Sequence, residues 1–200
     1  MIVLARILST VFRPIYYPTV GIIILLTTTY LVLLPWSFRL TILALVYLFT
    51  VAIPTGATYV WRRIRKWKRH ELRHQHKRWA PYIIYFVCYI LCIQVMTALR
   101  LPRFMVSAIA ASALIQAACI LINTKWKIST HAAGSGGVIG ALMAYSLIFP
   151  FNPVWWLCLA ILVSGLVMTS RMLLRQHTLW QVLGGTAVGI VCGYYGILFV

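Results

Sequence analysis

Long apolar stretches follow one another along this chain, and short polar or proline-containing segments separate them. Each stretch is about as long as the 17–25 residues that a helix needs to cross a bilayer. Only helices and closed barrels satisfy their backbone hydrogen bonds inside lipid, and apolar runs of this length indicate helices. The pattern predicts seven spans, at residues 18–36, 38–60, 81–99, 104–123, 132–149, 154–169 and 179–200.

Residues 1–17 precede the first predicted span and place Arg6 and Arg13 among apolar side chains. This mixture predicts a short interfacial helix rather than a cleaved signal peptide. A basic loop at residues 62–78 separates the second span from the third. We therefore expect an all-α, polytopic helix bundle in which residues 1–200 form a single integral membrane domain.

Two of the predicted spans carry glycines four residues apart: Gly185, Gly189 and Gly193 in the last span, and Gly136 and Gly140 in the fifth. Glycines at this spacing share one helix face and allow a neighbouring helix to approach closely. We expect these faces to pack within one molecule, and the oligomeric state stays open.

The composition agrees with a membrane protein, because 62% of the residues are hydrophobic. A soluble domain of 200 residues could not bury so much apolar surface. The charged side chains are almost all positive: the sequence has 18 Lys and Arg and a single acidic residue, Glu71. Since the basic residues lie between apolar segments, they indicate membrane orientation and contact with anionic headgroups rather than nucleic-acid binding.

The distribution of charge predicts the orientation. If seven spans alternate in direction, the N-terminus, the basic loop 62–78 and the segments 124–131 and 170–178 share one face. That face carries fifteen Lys and Arg, and the opposite face carries three. The positive-inside rule then predicts that the basic face is cytoplasmic in a cell membrane. We also expect the basic loop to bind anionic lipid headgroups.

Two segments on the basic face contain residues suited to phosphoryl transfer. One ends in Ser129, Thr130 and His131, and the other runs from Ser170 to Gln181. Arginine pairs with phosphate oxygens, and the start of a helix offers backbone N–H groups to an anion. A neutral histidine can attack phosphorus, and a protonated one can donate to the leaving oxygen. The predicted phosphate-binding residues are Lys125, Lys127, Ser129, Thr130, Ser170 and Arg171.

The sequence predicts no metal and no other cofactor. Magnesium and two-metal sites require carboxylates, and Glu71 is the only one among the side chains. His70, His74 and His76 lie among nine Lys and Arg that would repel a cation. We therefore interpret them as part of a solvated basic segment.

The two segments resemble the second and third motifs of the type 2 phosphatidic acid phosphatase superfamily, written PSGH and SRxxxxxHxxxD. Ser129 and His131 match the second motif, and Ser170-Arg171 with His177 matches the third up to its last position, where Gln181 replaces Asp. The forms in this chain look like a bacterial branch of the superfamily. The first motif, KxxxxxxRP, has no match as written, and Lys127 is the predicted counterpart of its lysine. Arg100 and Arg103 flank a proline, but the alternation of spans places them on the opposite face.

The resemblance implies a six-helix phosphatase core with one additional N-terminal span. It implies His177 as the nucleophile that forms a phosphohistidine, and His131 as the general acid. Gln181, one helical turn after His177, would orient its ring. The expected activity is hydrolysis of a lipid phosphate or pyrophosphate. A non-catalytic protein that binds or transports lipid phosphates through the same cationic pocket is the alternative.

Overall fold

The computed structural model describes residues 2–66 and 79–199 as a bundle of helices. The described residues contain seven helical segments that are long and apolar enough to cross a membrane, and two of these segments each consist of two α-helices. This confirms the predicted all-α polytopic fold. The helices are α1 (Ile2–Val11), α2 (Tyr17–Thr28), α3 (Trp36–Tyr47), α4 (Ile53–Ile64), α5 (Trp79–Ala98), α6 (Arg103–Asn123), α7 (Thr130–Ile148), α8 (Val154–Leu173) and α9 (Leu179–Leu198).

The boundaries differ from the prediction at three spans. The first candidate span covers Ile2–Thr28, so it includes the predicted interfacial helix, and α2 ends at Thr28 instead of residue 36. A π-helical turn at Leu48–Ala52 joins α3 to α4, so that the second span runs without interruption over Trp36–Ile64. The apolar pattern predicts an end of the sixth span at residue 169, but α8 continues to Leu173. Ser170 and Arg171 therefore lie in the last turn of a helix and not in a loop.

The N-terminal helix is present, but it is shorter than predicted. It packs against α8 of the bundle. It ends at Val11, and a 3₁₀ turn at Pro14–Tyr16 leads into α2. One side of α1 packs against α8 and buries Ala5 and Ser9, while most of its apolar side chains stay exposed. The histidines and Glu71 of the predicted basic loop lie outside the described residues.

Helices α7 and α9 pack with their backbones in direct contact, as the glycine spacing predicts. A Cβ atom on Gly189 would collide with the carbonyl oxygen of Ala133, and one on Gly193 would collide with that of Gly137. A Cβ atom on Gly185 would lie 2.7 Å from the carbonyl oxygen of Ser129. Because these positions lack side chains, the first half of α7 lies directly against the middle of α9.

Candidate active site

A cavity of about 920 Å³ lies between α1 and the neighbouring ends of α7 and α8. It brings together the predicted residues His131 and Arg171 with three residues from the N-terminal segment, Arg6, Ser9 and Arg13. The remaining lining residues are Ile2, Thr10, Leu173, Leu174, Arg175 and Gln176. Segments more than a hundred residues apart in sequence thus build one cationic cavity.

Arg171 places a guanidinium deep in this cavity. The residue is only 9% exposed, and its Nη1 atom donates a hydrogen bond of 2.7 Å to the hydroxyl of Ser9. A buried charge is costly unless it is hydrogen-bonded, so this contact stabilises both the guanidinium and the docking of α1 on α8. Ser9 is a neutral acceptor, so this bond does not neutralise the positive charge of Arg171.

His131 lies beside Arg171 at the start of α7. Its ring hydrogen-bonds the backbone of Ser9, and Arg171, Arg13 and His177 are close enough to act on it electrostatically. Ser9 therefore contacts both predicted residues, through its backbone to His131 and through its hydroxyl to Arg171. A phosphate in the cavity would face an imidazole and a guanidinium at the same time.

His177 follows α8 in a short segment and interacts with Gln181 in the first turn of α9. Its Nδ1 atom lies 3.1 Å from Oε1 of Gln181. The same oxygen accepts the backbone N–H of Thr178 at 3.3 Å, as part of a capping box at the start of α9. A backbone N–H can only donate, which identifies the shared atom as the amide oxygen.

This arrangement fixes the tautomer of His177. Because Oε1 of Gln181 can only accept, Nδ1 of His177 carries the hydrogen in this contact, and in the neutral ring Nε2 is then the nitrogen with a lone pair. The side chain is 8% exposed, and it interacts electrostatically with His131 although it is not among the described residues that line the cavity. His177 thus follows Gln176, which lines the cavity, but does not itself line the described cavity.

A backbone hydrogen bond between the starts of α7 and α9 keeps the two histidine-bearing segments at the same level of the bundle. The backbone N–H of Ser129 donates to the carbonyl oxygen of Gln181 at 3.3 Å. Ser129 caps α7, and Gln181 belongs to the first turn of α9. The alternation of spans predicts that both segments return to one face, and this bond is the local reason that they meet.

Several predicted phosphate-binding residues lie outside the described wall of the cavity. The hydroxyl of Ser129 is buried and caps α7 by accepting from the N–H of Ala132 at 3.4 Å. The hydroxyl of Ser170 donates to Val167 within α8 at 2.7 Å. Thr130 faces an apolar groove instead.

The two lysines of the 124–131 segment are not part of the described wall either. Lys125 is exposed and Lys127 is partly buried, and neither lines the cavity. The cations that do line it are Arg6, Arg13, Arg171 and Arg175.

Arg6 and Arg13 line the cavity, although the apolar pattern around them predicts only an interfacial helix. We predicted from the sequence that Lys127 takes the place of the lysine in the first motif, and this prediction leaves out both arginines. Six residues separate Arg6 from Arg13, and Pro14 follows directly. This is the spacing of the first motif, KxxxxxxRP, with arginine in place of lysine. The spacing is the feature of the sequence from which Arg6 and Arg13 could have been predicted as site residues.

No carboxylate balances the charge of the cavity among the described residues that line it. The only acidic residue in the sequence is Glu71, and it lies outside the described residues. Like charges at close range repel each other, more so where burial lowers the local dielectric. An anion with several oxygens would relieve this repulsion and accept hydrogen bonds from the guanidinium groups.

Comparisons with models of protein families, with characterised proteins and with solved structures find no match for this chain.

Proposed function

We propose that this protein is a metal-independent phosphatase that acts on a lipid phosphate or pyrophosphate in the membrane, and that it is a divergent relative of the type 2 phosphatidic acid phosphatases. The observation that carries the proposal is the junction at Ser9, where His131 and Arg171 meet in a cavity that also receives Arg6 and Arg13. This arrangement supports the proposal because a histidine suited to general acid catalysis lies with several arginines at one end of the bundle.

In the first step, Nε2 of His177 attacks the phosphorus atom and the bond between phosphorus and the lipid oxygen breaks. The negative charge of the bound phosphate favours the protonated form of His131, which transfers its proton to the leaving oxygen, so that the lipid departs as an alcohol or a lipid monophosphate. Arg6, Arg13 and Arg171 bind the non-bridging oxygens as charge develops on them.

In the second step, water attacks the phosphohistidine and the bond between nitrogen and phosphorus breaks. The neutral His131 accepts the proton of the water molecule, and inorganic phosphate leaves the cavity. Both histidines return to their starting protonation states, so each turnover consumes one water molecule and no metal or cofactor.

A non-catalytic function has one observation in its favour: His177 is not among the described residues that line the cavity. A protein that binds or transports lipid phosphates would need the arginines but no nucleophile. The two functions differ in whether a covalent bond to phosphorus ever forms.

The test is incubation of purified protein with ³²P-labelled phosphatidic acid, phosphatidylglycerophosphate, polyprenyl pyrophosphate and lipid A, each in mixed micelles. We expect release of labelled phosphate and, after rapid quenching in alkali, a labelled protein whose label is lost in acid. His177→Asn should abolish both signals. Gln94→Leu, a substitution of an exposed residue of α5, is the control and should retain both.

Binding of these lipids without release or labelling would establish the non-catalytic alternative. Release that persists in His177→Asn would overturn the role of His177 as nucleophile. Neither outcome depends on knowing the physiological lipid in advance.

We further propose that the site faces the cytoplasm in a bacterial cell membrane, because the Lys- and Arg-rich face carries it. The contacts of α1 with His131 and Arg171 support an N-terminus on the same face as the site. Reporter fusions after residues 78 and 200 should report opposite sides, with residue 78 inside. An outside signal at residue 78 would invert this orientation.

A further inference from the structure

Arg175 lines the cationic cavity, but the proposed reaction gives it no role. The transferred phosphoryl group has three non-bridging oxygens, and three other arginines of the cavity bind them in the proposed first step. At about 920 Å³ the cavity has the size of a site for a drug-sized ligand, so it has room for more than one phosphate group. A further cation in a cavity of this size indicates a second anionic group on the substrate.

The backbone ties Arg175 to the turn that carries the buried Arg171. Helix α8 ends in a Schellman motif, in which the N–H of Gln176 donates to the carbonyl oxygen of Arg171 at 3.1 Å. The N–H of Arg175 donates to the carbonyl oxygen of Met172 at 2.8 Å. These two bonds fix the backbone position from which the side chain of Arg175 reaches the cavity.

The two arginines of this helix end lie at different depths. Arg171 is buried, whereas Arg175 is exposed and also lines the cavity, so Arg175 lies nearer the opening. In a lipid pyrophosphate the inner phosphate lies between the lipid and the terminal phosphate. With the terminal phosphate next to His131 and Arg171, the inner phosphate would therefore lie towards the opening, on the side of Arg175.

The charge of the cavity favours the same ligand. Four arginines and no carboxylate are found among the described residues that line it. A phosphate monoester carries a charge of about −1.5 to −2 at pH 7, and a second phosphate group adds a further negative charge. A pyrophosphate therefore balances the guanidinium groups more completely than a monophosphate does.

The conformation of Arg175 provides a matched control. Its φ of 49° lies in the left-handed region, where the corresponding residue of a Schellman motif is usually glycine because a Cβ atom is unfavourable there. Arg100 has a φ of 53° and the corresponding pair of backbone hydrogen bonds at the end of α5, but it does not line the cavity. Replacement by glycine relieves the same backbone strain at both positions and removes a guanidinium from the cavity only at Arg175.

We infer that Arg175 binds the phosphate group that remains on the lipid, and that the preferred substrate is a lipid pyrophosphate. This inference rests on the proposed phosphatase function. Nε2 of His177 bonds to the terminal phosphorus while the bond from that phosphorus to the bridging oxygen breaks, and His131 gives its proton to this oxygen. The lipid leaves as a monophosphate, and water then releases the terminal phosphate from His177.

The experiment uses two pairs of lipids in mixed micelles: farnesyl pyrophosphate with farnesyl phosphate, and diacylglycerol pyrophosphate with phosphatidic acid. The members of a pair share their tail and differ by one phosphate group, so the ratio of their kcat/KM values reports on that group. A phosphate is also a better leaving group than an alkoxide, so the ratio is compared between variants as well as within the wild type. We expect a wild-type ratio of about 10 or more in favour of the pyrophosphate in both pairs.

Arg175→Gly should lower this ratio about 10- to 100-fold, the range for loss of a hydrogen bond between charged groups. Its Tm in detergent should not fall, because glycine adopts a positive φ without steric cost. Arg175→Lys keeps the positive charge and should give a higher ratio than Arg175→Gly. Arg100→Gly should keep the wild-type ratio and the wild-type kcat/KM for each lipid.

An unchanged ratio in Arg175→Gly, or an equal fall in Arg100→Gly, would overturn the role of Arg175. Wild-type protein that hydrolyses the monophosphates faster than the pyrophosphates would overturn the substrate class. Failure of the wild-type protein to hydrolyse any of the four lipids would instead refute the proposed function.

Discussion

The Nδ1 atom of His177 lies 3.1 Å from Oε1 of Gln181, one helical turn further along the chain. This contact predicts that Gln181 positions the nucleophile. Gln181→Leu should lower kcat by about 10²- to 10⁴-fold with little change in KM, because loss of a tautomer-fixing partner has a cost of this order in the serine-protease triad. Steady-state kinetics would measure both parameters.

Gln181→Glu distinguishes positioning from a merely structural role. Glutamate has the same length and also serves in a capping box, so it keeps both acceptor functions and adds a charge that favours the imidazolium. We expect kcat at or above the wild-type value. Equal losses of kcat in the Leu and Glu variants would contradict the positioning role.

Metal removal should leave the reaction intact. No carboxylate lines the described part of the cavity, and in the proposed reaction arginines take the place of metal ions in binding the phosphate. Phosphate release in EDTA should equal that in the untreated sample, with a magnesium-dependent phosphatase as the positive control for chelation. A loss of activity that added Mg²⁺ restores would refute the proposed chemistry.

The arginines of the N-terminal segment should contribute to substrate binding. Arg6→Gln and Arg13→Gln should each lower kcat/KM about 10- to 100-fold, the range for loss of a hydrogen bond from a charged group. Arg100→Gln, which changes a residue between α5 and α6 away from the cavity wall, serves as the control. Wild-type values in both cavity variants would exclude α1 and its C-terminal extension from the site.

A negative charge at Ser9 should imitate a bound phosphate. In Ser9→Glu the new carboxylate would lie next to the buried guanidinium of Arg171, where it would form a charge-assisted hydrogen bond. We expect a higher Tm in detergent together with loss of phosphate release. Ser9→Gln adds the same volume without the charge, and an equal rise of Tm in this variant would contradict the electrostatic explanation.

The contact between α7 and α9 should be sensitive to a single methyl group. In Gly189→Ala the added Cβ meets the backbone of Ala133, and backbone cannot move aside cheaply. We expect a loss of about 1–3 kcal/mol of stability, seen as a lower Tm. Gly165→Ala, which places its Cβ in open space, should leave Tm unchanged or raise it slightly; similar losses in the two variants would contradict the close packing.

Much of the architecture follows from the order of residues along the chain. Apolar length predicts the spans, and the spacing of Gly185, Gly189 and Gly193 predicts the face on which α9 packs. The alternation of spans also predicts that His131 and His177 lie at one end of the bundle, where a backbone hydrogen bond from Ser129 to Gln181 joins the two segments that carry them. These properties depend only on the periodicity of the α-helix and on the thickness of the bilayer, which are the same for every membrane protein of this class.

The directions of individual side chains could not be predicted in the same way. Ser129 and Thr130 precede His131 directly, yet the hydroxyl of Ser129 caps the helix and Thr130 faces the groove. Successive residues of α7 are rotated by about 100° around the helix axis, so adjacency in sequence does not give a shared direction. Arg6 and Arg13 line the cavity because α1 packs on α8. Their spacing before Pro14 marks them in the sequence, but it does not give this tertiary contact.

The uninterrupted span Trp36–Ile64 has 29 residues, which corresponds to a helix of about 43 Å. It exceeds a hydrocarbon core of about 30 Å by more than two turns, so it must tilt or project from the bilayer. Its C-terminal turn carries Arg62 and Arg63, whose long side chains reach the headgroup layer readily. We therefore expect hydrophobic mismatch to hold these arginines among anionic headgroups, on the face where the phosphate of a lipid would enter the cavity.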